Sequence, residues 1–166
     1  MRPLERLSAL LNGLLAWVAG LVLVAMMLFT VLDMVLRGLG HPVAGSFEVI
    51  GWLSAAAMAL ALGYAQLNRN HVAIDLLVNR LPGRLRAGTE AAVSLCSLLL
   101  FGAVAWYVAR YGGMLQESGS LSETLKAIVY PWVYVVATGA TGLTVALLVD
   151  CLRAGARLAA SVRGRG

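Results

Sequence analysis

Polar positions along this chain fall in clusters, and between them lie four runs free of charged residues: Leu14 to Leu32, Val49 to Leu67, Ala91 to Ala109 and Ala127 to Val149. Three runs have 19 residues and the fourth has 23. At about 1.5 Å rise per residue, a 19-residue helix comes close to the ~30 Å hydrocarbon thickness of a bilayer. Lipid offers no partner to free backbone N–H and C=O groups, and the runs lack the dyad alternation of a barrel strand, so each is expected to be helical. The pattern predicts an all-α integral membrane protein, a single domain over residues 1–166 with transmembrane helices at about 13–36, 47–67, 90–111 and 127–150. Arg2 and Arg6 precede the first run as they would in a signal peptide. The run is too long for one, and Asp33 and Arg37 stand where a small-residue cleavage site belongs, so it reads as a retained helix.

The stretch between the second and third runs has a different period. Projected at 100° per residue, His71, Asp75 and Asn79 share one face, and Ile74, Leu77 and Leu81 share the other. This predicts a short amphipathic helix at about 70–81, capped by Asn70 and stopped by Pro82. It is too short to span and is expected to lie in the membrane interface, with Arg80, Arg84 and Arg86 reaching lipid head groups.

Small residues form stripes within the runs. Gly51, Ala55, Ala59 and Gly63 recur every four residues in the second, and Thr138, Gly142 and Ala146 do so in the fourth. Helices in lipid associate through close packing rather than hydrophobic exclusion, so each stripe marks a helix–helix interface. The stripe of the second helix suits packing within this chain and docking to a larger partner equally well. Pro131 is compatible with the first turn of the fourth helix, where its missing N–H has no intrahelical use. Trp17, Trp52, Trp106, Tyr107, Tyr111, Tyr130 and Trp132 lie mostly toward the ends of the runs, as an aromatic belt does.

Positive charge gives the runs a direction. Lys and Arg number two before the first run, four between the second and third, and four after the last, against one and two in the other connections. By the positive-inside rule both termini and the middle loop are expected to be cytoplasmic. The +5 net charge follows from the same asymmetry and from attraction to anionic lipid, and is no argument for nucleic acid as a partner. Composition changes little in this picture: 60% hydrophobic and 13% charged is far from a soluble domain, and half the chain lies in the runs.

Candidate chemistry is sparse. A proton- or ion-coupled carrier places ionisable groups within the membrane, and the four runs hold none. Asp33 comes closest, but it stands one turn before Arg37, which predicts an ion pair at the helix end. His41 and His71 belong to connections on opposite sides of the membrane, unsuited to joint haem ligation, and Cys96 and Cys151 lack metal-ligand spacing. No nucleophile–base set, glycine-rich phosphate loop or pore-lining polar run is present, so the chain reads as non-catalytic, with no cofactor or metal of its own.

The order of these features resembles the small, four-helix (Q-type) membrane subunit of tripartite ATP-independent periplasmic (TRAP) transporters. The residues carrying the likeness are Arg37, Gly45-Ser46-Phe47-Glu48, His71-Val72-Ala73-Ile74-Asp75, Leu81-Pro82 with Arg84, and Ser122-Glu123-Thr124-Leu125 leading to Pro131-Trp132. It covers essentially the whole length. Two departures are visible: Lys126 to Tyr130 separate the Thr-Leu pair from the proline, and Val49 stands where the family often has a second acid after Glu48.

The resemblance implies an accessory, stator-like role in a sodium-driven secondary transporter for small organic acids. A large membrane subunit would move the substrate and carry the sodium coupling, while a periplasmic binding protein delivers the substrate. It further implies that Arg37 and Glu48 tie the first two helices on the periplasmic side, that His71 and Asp75 orient the interfacial helix, and that Glu48, Glu117 and Glu123 help dock the binding protein. Ordinary intrachain hydrogen bonding serves the Arg37/Glu48 and His71/Asp75 pairs at least as well. The alternative from a different class is a self-sufficient four-helix exporter acting as a dimer, which needs a membrane-embedded carboxylate and a weaker charge bias.

Overall fold

The structure, a computed structural model, describes residues 2–68 and 83–163. Within them are four helices, α1 (Arg2–Gly38), α2 (Ser46–Leu67), α3 (Gly83–Ser118) and α4 (Tyr130–Arg163), and no strand. Each is long and apolar enough to cross a membrane. The chain is an all-α, multi-pass membrane protein. The interfacial helix expected at about 70–81 lies outside the described residues.

The helices run past the apolar runs that predict them. α1 starts at Arg2, well before the expected 13, because the residues leading into its apolar run are good helix formers with a buried side of their own, Ser8 and Asn12. α4 starts at Tyr130 rather than 127. Ala127 and Ile128 belong instead to a tight connection: Ser122 and Ala127 exchange hydrogen bonds, Leu121 pairs with Ile128, and Lys126 takes a φ of 51° that no helix accommodates. Pro131 then falls in the first turn of α4, where its fixed φ favours helix initiation.

Both connections at this end leave their helix in the same way. His41 N–H bonds Leu36 O and Gly40 N–H bonds Arg37 O, with Gly40 at φ 82°. Ser120 and Gly119 repeat the arrangement on Leu115 O and Gln116 O, with Gly119 at φ 62°. These are Schellman closures, which need a left-handed residue that only glycine adopts without cost.

Consecutive helices alternate in direction, and α4 is the common neighbour: α1, α2 and α3 all pack on it, and α1 and α2 also pack on each other. The centre is built mostly from small side chains, with Ala56, Ala57, Ala59 and Leu60 of α2 and Ala137, Ala140, Leu143 and Ala146 of α4 all buried. A Cβ built on Gly139 would overlap the backbone of Ala59, so these two helices touch backbone to backbone. The expected α4 face is shifted by part of a turn. Gly142 and Ala146 are buried but Thr138 is exposed, its hydroxyl bonded back to Tyr134 O, and Gly139 takes its place in the interface. Two belt residues meet, each half-buried: Trp52 and Trp132 stack with ring centroids 5.7 Å apart. By contrast α1 and α3 turn large apolar side chains outward, among them Trp17, Leu21, Leu28, Leu99 and Trp106.

Candidate functional site: a frame tied at both ends

The polar contacts that join helices collect at the two ends of the bundle. At the end carrying the α1–α2 and α3–α4 connections, Asp33 is held on two sides. One carboxylate oxygen accepts from Arg37 at 2.9 Å and the other from the Val43 backbone N–H at 3.1 Å. The ion pair expected from the spacing of Asp33 and Arg37 is present, and Asp33 also anchors the loop ten residues on. The Arg37 guanidinium reaches Ser46 Oγ at 3.5 Å and lies 5.7 Å from the centre of the Phe47 ring, so it links the end of α1 to the start of α2.

Glu48 sits in the first turn of α2, where the helix dipole favours an acid. Its two oxygens accept the backbone N–H groups of Thr124 and Leu125 at 2.8 and 3.1 Å. A carboxylate fork on two successive amides fixes a loop in both position and orientation. Leu125 packs so closely over Gly45 that any side chain there would collide with it. Two segments that carry the family likeness, Gly45 to Glu48 and Ser122 to Leu125, are therefore one structural unit. Arg37 and Glu48 do not bond to each other: Arg37 joins α1 to α2, and Glu48 joins α2 to the α3–α4 connection.

At the opposite end Arg153 of α4 bonds Glu5 of α1 at 3.0 Å, with Asp150 at 3.8 Å from the same guanidinium. Asp150 in turn accepts from Gln66 of α2 at 3.0 Å. Three helices are tied by one chain of contacts. Sequence reasoning missed it, since Glu5 and Arg153 are 148 residues apart and no local spacing announces the pair.

The small-residue stripe of α2 divides. Ala59 and Gly63 are buried against α4 and α1, whereas Gly51 and Ala55 are exposed, with no atom near the position a Gly51 side chain would take. His71, Asp75 and Arg80 lie outside the described residues, as do the side chains of Arg84 and Arg86 in the opening turns of α3. Among the described residues no group of three His, Cys, Asp or Glu side chains comes together as a metal site would. The polar side chains at the two ends of the bundle join helices to one another and to the connections.

Compared with known families, the chain matches the DctQ component of tripartite ATP-independent periplasmic transporters over residues 26–157. No curated protein matches it.

Proposed function

This chain belongs to the DctQ family, the small membrane component of TRAP transporters, and on that premise we propose that it is the fixed membrane frame on which a larger transport subunit works. The observation that carries this reading is the double tie: Glu48 on Thr124 and Leu125 at one end, and the Glu5–Arg153–Asp150–Gln66 chain at the other. A bundle pinned at both ends, with a backbone-contact core, suits a part that stays still while another moves. Asp33, which directly follows the first apolar run, is occupied by Arg37 and the Val43 amide, which suits an anchor better than a proton carrier.

In this role the chain lies in a bacterial inner membrane with both termini cytoplasmic, as its ten-to-three distribution of Lys and Arg favours. The large subunit moves a small organic acid with sodium, and a periplasmic binding protein delivers it. The tied loops around Glu48, Glu117 and Glu123 then face that binding protein. Purification of the tagged chain from cells expressing both membrane subunits should retain the large one, and uptake into vesicles should need both. Full-rate uptake by the large subunit alone overturns the reading.

A further inference from the structure

Asn12 of α1 is fully buried, and so is Ser8 one turn before it. Its Nδ2 donates to Ser8 O at 3.0 Å, with Ser8 Oγ at 3.4 Å. Its Oδ1 meets no N–H or O–H donor. An amide carbonyl buried without a partner is costly in apolar surroundings, so what lies against that oxygen matters.

Two glycines lie there. A Cβ on Gly63 of α2 would overlap Asn12 Oδ1, and one on Gly142 of α4 would stand 2.9 Å from it. The Gly63 position is also 3.1 Å from the Gly142 carbonyl carbon, so α2 and α4 close on each other beside the amide with no side chain between them. Glycine Cα–H groups, polarised by the peptides on either side, are weak donors to carbonyl oxygens at such helix contacts.

We propose that Asn12 is a polar key seated in a two-glycine notch: its Oδ1 accepts Cα–H bonds from Gly63 and Gly142 and locks α1, α2 and α4 in register. The key gives a role to a polar side chain that is fully buried beside Ser8 where three helices meet. It also sets the rotation of α1 about its axis, which leaves Trp17, Leu21 and Leu28 pointing away from the bundle. Asn12 precedes residue 26, where the family match begins. The lock does not depend on the proposed role in transport.

The test is a set of variants of the full chain purified in detergent, read by thermal unfolding and by NMR of labelled glycine. Gly63→Ala puts a methyl where Asn12 Oδ1 sits and should lower Tm by about 4 °C or more. Asn12→Ala/Gly63→Ala removes the obstructing amide and should regain much of that loss, so that the two substitutions do not add. The Hα resonances of Gly63 and Gly142, displaced downfield by the carbonyl in the native chain, should move upfield in Asn12→Leu, which keeps the volume and removes the acceptor. Strictly additive Tm losses, or glycine Hα shifts that are indifferent to Asn12→Leu, overturn the proposal. If Gly63→Ala does not fold, folding of the double variant supports the key, and if neither folds the Hα shifts decide.

Discussion

Glu48 shows how much one side chain fixes here, because both its oxygens are spent on backbone amides 76 and 77 residues away. Glu48→Ala removes both acceptors, and Glu48→Gln keeps one while turning an NH2 toward an N–H. Amide exchange at Thr124 and Leu125 should accelerate in both, by about an order of magnitude in the alanine variant, with α2 itself unaffected. Exchange unchanged in the alanine variant would mean that the Lys126 turn holds itself. The two contacts of Arg37 and Glu48 differed sharply in how far sequence could reach them. Asp33 and Arg37 are four apart on one helix, a spacing that names its own partner. Backbone N–H groups carry no residue identity, so nothing in a carboxylate's own surroundings reveals which distant amides it will take. The resemblance implied that Arg37 and Glu48 together tie the first two helices; in the folded chain Arg37 reaches the start of α2, while Glu48 takes the amides of the α3–α4 connection.

On the scale of helices, the number, order and apolar character of the spans were legible, since lipid admits few alternatives to a helix of that length. Which face each helix turns inward was legible only in part. Residues four apart advance 400°, so a stripe drifts by about 40° per step and by about 120° from Gly51 to Gly63. A straight neighbour covers one portion of such a stripe and leaves the rest, which is why Ala59 and Gly63 are buried while Gly51 and Ala55 are open. The same drift moves the α4 contact from Thr138 to Gly139. Gly139→Ala forces a methyl against the Ala59 backbone and should cost about 1–3 kcal/mol in unfolding experiments. Gly51→Ala should stay within about 0.5 kcal/mol of the native chain. If the open half of the stripe is where the large subunit docks, Gly51→Leu will weaken co-purification while leaving Tm in place; retention of the partner would confine docking to another face.

The molecule as a whole is a group of three mutually packed helices, α1, α2 and α4, with α3 laid against α4. Its proposed orientation can be checked by placing single cysteines in a background lacking Cys96 and Cys151. Those at Ser120 and His41 should react with an impermeant reagent added to intact spheroplasts, and one at Ser161 only after lysis. The reverse pattern would invert the assignment made from positive charge. Because α4 is the neighbour shared by every other helix, the order of synthesis acquires weight. While the ribosome is still making residues before Tyr130, α1 and α2 have each other to pack on, but α2 and α3 both lack the helix against which α3 makes its main contact. The last span to enter the membrane converts a loose set of inserted segments into a bundle. A truncated product ending in the α3–α4 connection thus leaves open the part of the α2 surface, around Ala59, that Gly139 of α4 covers in the finished protein.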